Sequence, residues 1–447
     1  MLVLAGCQSS SEDEAGPSRI DSPAPSVSPS PTPPPRPDNV SQGVPEARCD
    51  GTRINPSMSE AQVESALDSG ASTAAFCFAP GTYRMSLTPR NGQKLIGEPG
   101  SILKGTRIAT GWRRNGAGIW VLRDATLNPI VKSPPFEGRE RSCEAIPANC
   151  HYADLFEDGV RLTRVLADTT PPPGAWHWDY ATDRVYVNTT APNTALMELT
   201  NRNVGIESAG DLTVRGLSVM HFATRGVNTS AGDLLENVEF AWNHGEGFRL
   251  GGNPAAIIGG HTHHNGQFGG FCAGANKTID GLEFSFNNNL HFATAQGGYW
   301  GAGAIKCVQT TNLVVRNVFS HDNFSDGFWT DINNRGVLYE NNVIVRNERF
   351  GIFHEISCSV EARDNVLQDN ASHGLFIHSS IDADVHHNTF GGNGGAAVTV
   401  KDNLARKAEC ATDGGSYGNK IHDNTLNGDA VKGLASPPAR NERWSNA

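Results

Sequence analysis

The chain is predicted to be all-β, a parallel β-helix in which short strands coil into a stacked solenoid. Three observations predict it. An Asn stands four residues before a Gly that opens an apolar run, at Asn243 and Gly247, Asn323 and Gly327, Asn347 and Gly351, and Asn370 and Gly374. From Asn323 this Asn recurs after 24, 23 and 23 residues, reaching Asn393. A second Asn keeps the beat at Asn317, Asn342, Asn365 and Asn388, spaced 25, 23 and 23. A fixed period of this size marks a stacked repeat. The third observation is run length: 328–332, 337–339 and 343–345 are three to five residues long, bounded by Gly, Asn and Asp. Such runs fit strands and are too short for helices. Three strands per turn give a β-helix whose coils pair with one another. The repeated Asn are expected at inner corners, each side-chain amide bonding to its copy one rung along. A leucine-rich repeat, of similar period, needs a Leu-x-x-Leu-x-Leu frame that is absent.

Length and composition agree. A solenoid can use all 447 residues as one body, and the 49 glycines suit a turn-rich chain. The net charge of −11 argues against a nucleic-acid partner. No run of 18 apolar residues offers a membrane span.

In chain order, Leu4-Ala5-Gly6-Cys7 resembles the bacterial lipobox, which implies lipidation of Cys7 and a membrane contact through that anchor alone. The charged region and most of the apolar region of such a signal are missing from 1–7, so the true start is expected upstream. Residues 8–47, rich in Pro and Ser, read as a disordered tether. Eight cysteines follow Cys7, an even number that favours disulfides in an exported chain. Proximity pairs Cys49 with Cys77 and Cys143 with Cys150; Cys272, Cys307, Cys358 and Cys410 leave the other pairing open. Within 48–104, Ser59 to Gln62 is a capping box ahead of Val63, Ala66 and Leu67, with a stop at Gly70. This helix is expected to cover the open edge of the first coils. From 105 to 200 the beat stops, and Trp112, Trp120, Trp176 and Trp178 accompany alternating strands and a hairpin signal at Asp158-Gly159. That region reads as a small antiparallel β subdomain inserted into the solenoid, its tryptophans packing a core. Coils resume over 201–430, and 431–447 reads as a loose tail.

The Ala79-Pro-Gly-Thr-Tyr83 start, the inserted Phe156 to Gly159 and Trp176 to Asp179 segments and the Asn-x-x-x-Gly coils resemble secreted right-handed β-helix proteins of the pectin-lyase-like superfamily. The resemblance covers about 50–430 and implies a right-handed parallel β-helix that is exported and works on polysaccharides. It is specific for fold and weak for reaction, since relatives include lyases, hydrolases, uronate epimerases and proteins without known activity.

Alternation sorts the strand residues. After Gly327, Phe328, Thr330 and Ile332 share one face and Trp329 and Asp331 the other. After Gly351 and Gly374 the outward residues are Phe353 and Glu355, then Phe376 and His378. The frame extends to Lys306 one coil before Asp331 and Lys401 one coil after His378, with Arg249 further up. The outcome is a ribbon of ionisable groups about 4.8 Å apart per rung, beside an aromatic strip able to stack on a sugar. Asp331 and Glu355 are expected on the order of 5–6 Å apart, near the spacing of a retaining glycosidase, with His378 and Lys306 tuning them. A lyase or C5-epimerase would use a cation (Lys306, Arg249 or Ca²⁺) against a uronate and His378 or Lys306 as base. No cofactor is otherwise expected. The bland alternative is a solvated, salt-bridged face.

Between Gly270 and Gly303 one coil is stretched and contains Tyr299 and Trp300, expected to overhang the groove. His321, Asp322 and Asp326 are expected at its rim. His261, His263 and His264 read as corner histidines rather than a zinc site, and His354 as an internal one. The function expected is cleavage of an extracellular polysaccharide by a monomeric glycoside hydrolase, with lyase or epimerase second and a non-catalytic glycan-binding adhesin third. As outward residues, Asp331 and Glu355 are expected to be replaceable by their amides without loss of stability.

Overall fold

Coiling follows from where the positive-φ residues fall. The corner after each strand of one wall holds a residue in the left-handed region, among them Trp242 (φ 56°), His264 (φ 53°), Asp322 (φ 53°) and Arg346 (φ 55°). Each turns the chain onto the next wall. The computed structural model describes residues 49–123, 151–166, 169–292, 301–433, 442–444 and 446. Cys7, the tether, the proposed Cys143–Cys150 pair, Tyr299 and Trp300 lie outside them.

Three parallel walls result. The first runs from Val204–Glu207 through Phe328–Asp331, Ile352–Glu355 and Leu375–His378 to Val431–Lys432. The second takes in Thr213–Arg215, Arg335–Glu340 and Lys420–His422. Long strands Phe268–Asp280 and Gly303–Arg316 turn the corner between these walls and join them into one 21-stranded sheet. The third wall is a 10-stranded sheet from Gly81–Tyr83 to Thr389–Gly391. Inside, Phe328, Ile352 and Leu375, each directly after its glycine, belong to one continuous apolar core. Ile332, expected to share their face, has φ 59° and sits on a corner instead.

The asparagines form ladders. From Asn243 through Asn265, Asn287, Asn323, Asn347, Asn370 and Asn393 to Asp429, each Nδ2 donates to the next side-chain oxygen at 2.8–3.1 Å. The second ladder is Asn342, Asn365, Asn388, Asn424 and Asn446. Asn317 is not in it: Val318 N donates to Asn342 Oδ1, while Asn317 lies one residue outward and bonds Asp280. Its left-handed φ of 55° is the reason that spacing gave 25 instead of 24. A third ladder of Thr310, Asn334, Ser357, Ser380 and Ser416 lines another corner.

The helix Glu60–Ser69 carries the capping box at Ser59 and buries Val63 and Leu67 over the first coils. The insertion forms a four-stranded and a five-stranded sheet, with antiparallel pairing at Glu157 and Val160 and at Trp176 and Val187. Trp112, Trp176 and Trp178 pack its own core with Leu155, Val185 and Met197. They form no sugar platform. Disulfides join Cys49 to Cys77, Cys272 to Cys307 and Cys358 to Cys410. No helix among the described residues is long and apolar enough to cross a membrane.

Candidate active site

The first wall presents two outward columns. Register aligns Arg249, Phe271, Lys306, Trp329, Phe353 and Phe376 in one. Val308, Asp331, Glu355, His378 and Lys401 form the other. Lys306 therefore belongs to the aromatic column, two residues from its expected register. A shift between Ala273 and Gly274, one rung earlier in the long strands, separates the frame there from the 23-residue beat below. Lys306 reaches Asp331 diagonally, its Nζ 2.8 Å from Oδ2 and 3.4 Å from the centroid of the Trp329 ring.

Both carboxylates face outward on neighbouring rungs, yet they are buried, Asp331 at 3% and Glu355 at 5% exposure. The expected open wall is a covered one. Arg406, from the segment after Lys401, lies across them, with Nη1 2.8 Å from Glu355 Oε1 and Nη2 4.0 Å from Asp331 Oδ1. His378 Nδ1 approaches the same Glu355 oxygen at 3.4 Å. The aromatic strip is covered too. Trp329, Phe353 and Phe376 stack with centroids 5.3 and 5.2 Å apart, while Phe350 and the Arg349 guanidinium close over them from the corner. Phe376 alone of the three stays partly exposed.

Electrostatics separate the two acids. Burial lifts the Asp331 carboxyl above the usual range, against the pull of Lys306 and reinforced by the charge of Glu355. Burial acts the same way on Glu355, but the hydrogen bond from His378 and the charge of Arg406 outweigh it and hold that carboxyl low. Asp326, fully buried, accepts from Phe350 N at 3.2 Å and from Arg349 at 3.0 Å; burial pushes it up to about 6 despite Arg349. Asp331 Oδ1 and Trp329 Nε1 are buried without a hydrogen-bond partner among the described residues. Buried orphans of this kind cost free energy unless something occupies the site.

The remaining candidates divide. Arg249 holds Glu246 and stacks on Phe271, two rungs above Lys306. Lys401 is exposed beside His378. His321 and Asp322 belong to the third wall and its corner, where His321 bonds Glu283 and Asp322 pairs with Arg346, so they do not rim this site. His354 is internal, bonding Thr330, and burial depresses it to about 3. His261 bonds Ser285, His263 meets Glu239, and His264 stacks between Trp242 and Phe286. Among the described residues no His, Cys, Asp and Glu set is arranged to hold a metal. Arg406 escaped the sequence reading. Its signal was available: Asn388 and its ladder successor Asn424 are 36 residues apart, as are Asn287 and Asn323 in the stretched coil already recognised.

Residues 204–390 match the family model described as a right handed beta helix region. A stretch of 127 residues is 32% identical to the mannuronan C5-epimerase AlgE2 of Azotobacter vinelandii, covering 28% of this chain and 10% of that enzyme. The same organism's mannuronan C5-epimerase AlgE1 aligns at 32% over 127 residues, 28% of this chain and 7% of its own length. The chain thus spans about a tenth or less of the curated relatives it matches. Among solved structures, the complex of XylC with xylose superposes with a TM-score of 0.60 at 12% identity, over 84% of this chain and 75% of that one. At that identity the likeness is one of fold. With its three parallel walls, stacked amide ladders and matched central region, the chain is a right-handed parallel β-helix protein of the pectin-lyase-like fold.

Proposed function

We propose that the protein is a carbohydrate-active enzyme that cleaves a glycosidic bond with retention at Asp331 and Glu355. The observation that carries this reading is the placement of two carboxylates on adjacent rungs of one wall, one with an unpartnered oxygen. Strands about 4.8 Å apart put such groups on the order of 5 Å from each other, the separation of a nucleophile and an acid/base. Glu355, held ionised by His378 and Arg406, is the nucleophile. Asp331, lifted by burial, keeps its proton for the leaving oxygen and afterwards draws one from water; Lys306 stabilises the carboxylate in between. Three disulfides support an oxidising, extracytoplasmic location, to which a lipid on Cys7 would tether the chain.

One observation favours a second reading, lyase or C5-epimerase action on a uronate polymer: the stretch related to the mannuronan epimerases. There Lys306 and Arg406, in place of Ca²⁺, neutralise the uronate and His378 takes the proton. Incubation with a panel of neutral and acidic polysaccharides decides. New reducing ends without ultraviolet absorbance support the hydrolase, unsaturated absorbing ends support the lyase, and neither, with retained binding, supports an adhesin.

A further inference from the structure

Three charged or titratable side chains touch the carboxylate pair, and they come from different kinds of element. Lys306 and His378 belong to strands of the wall, fixed by pairing above and below. Arg406 comes from the loop between Val398–Lys401 and Lys420–His422. Its side chain keeps 35% exposure, against 7% and 5% for Glu355 and Asp331. It is therefore the solvent-side cover, and it can leave without breaking a strand pair.

The loop is pinned close to that cover. Cys410 is bonded to Cys358, one short turn beyond Glu355. Ala408 and Ala411 pack with Ile356 and Ile381. Glu409 N donates to Asn333 Oδ1 and Asn403 N to Ser379 Oγ, each at 2.8 Å. Four residues separate Arg406 from the pinned Cys410, a reach of about 13 Å when extended. That is enough for the guanidinium to swing clear while the base of the loop stays fixed.

We propose that Arg406 is a positioning residue on a disulfide-stapled gate: residues 402–416 close it over Asp331 and Glu355, where it orients the Glu355 carboxylate, and it lifts to admit a sugar ring. The gate rests on the carboxylate pair being the working site. A bidentate-capable guanidinium holds a carboxylate in a fixed plane, which Lys at the same place does less well. The staple keeps the lifted arm local, so closure needs little reordering.

Carbodiimide labelling of the full chain, read residue by residue by mass spectrometry, tests this without any glycan. In the unmodified protein, exposed Glu361 labels while Glu355 stays protected. Arg406→Gln should raise Glu355 labelling about tenfold, the loss of one charged hydrogen bond, and shift its pH midpoint upward. Cys358→Ser with Cys410→Ser should move it in the same direction, and Arg406→Lys should restore most of the protection. Asp154, buried under the insertion, should stay unlabelled throughout. Glu355 labelling as fast as Glu361 in the unmodified protein, or no gain with Arg406→Gln, overturns the gate. So does deprotection of Asp154 in parallel, which would make the loop a brace for the whole fold. The polysaccharide panel decides the hydrolase reading separately.

Discussion

At Asp331 the substitution that removes a charge also strands its partner. Lys306 is 7% exposed and pairs with Asp331 alone among the carboxylates in ion-pair range of it. Asp331→Asn should therefore abolish turnover and cost about 3 kcal/mol in denaturant unfolding, the penalty of an unpaired buried charge. Glu355→Gln leaves only the half-exposed Arg406 and should cost nearer 1 kcal/mol with the same loss of activity. Equal, negligible costs would mean that the pair is solvated after all. Asp326 gives a pH signature. Its folded value of about 6 exceeds the ordinary 3.8, so the native state holds the proton more tightly. Its stabilising contribution is complete at acid pH and is lost as pH rises from about 4 through about 6, by about 3 kcal/mol. Asp326→Asn should flatten unfolding free energy across that window. The sequence revealed the outward direction of Asp331 and Glu355 through strand alternation, but not their cover. Direction is set by local period; burial is set by what arrives from 75 residues later in the case of Arg406 over Asp331.

Among the elements, the ladders are the most local in logic and the most cooperative in effect. Asn370 accepts from Asn347 N and Nδ2 and donates to Ile344 O and Asn393 Oδ1, all buried. Asn370→Ala should cost about 3 kcal/mol, since several partners are left unsatisfied together. Asn317→Ala, on the outer corner, should cost under about 0.5 kcal/mol. Comparable losses at both would contradict the ladder register. The Asn beat, the capping box at Ser59 and the Asp158-Gly159 hairpin were legible because each is specified within a few residues. The slip at Lys306 was not, because a shifted long strand leaves no mark in spacing. The covering of the aromatic strip by Phe350 was also hidden, since a corner residue has no alternation to place it.

For the molecule as a whole, two cores meet across a small ionic joint. Asp154 and Arg161 of the insertion pair at 3.4 Å, His244 of the solenoid bonds the same carboxylate at 3.1 Å, and Arg161 stacks over Trp242. Arg161→Met should loosen the insertion about tenfold or more in hydrogen exchange while the amide ladders keep their protection. Uniform loss across both would show that they open as one unit. That there were two bodies of β-structure was readable from the interruption of the beat; the joint was not, since its members are 83 residues apart between Arg161 and His244.

The terminal position of the first ladder has a consequence of its own. Every amide in that column passes its hydrogen onward in the same direction, and the series closes on Asp429, whose carboxylate receives from Asn393 N and Nδ2. A carboxylate has nothing to hand on. An aspartate there acts as a punctuation mark, and replacing it with asparagine would leave an outstretched donor at the end of the row, converting a finished edge into one that invites another coil.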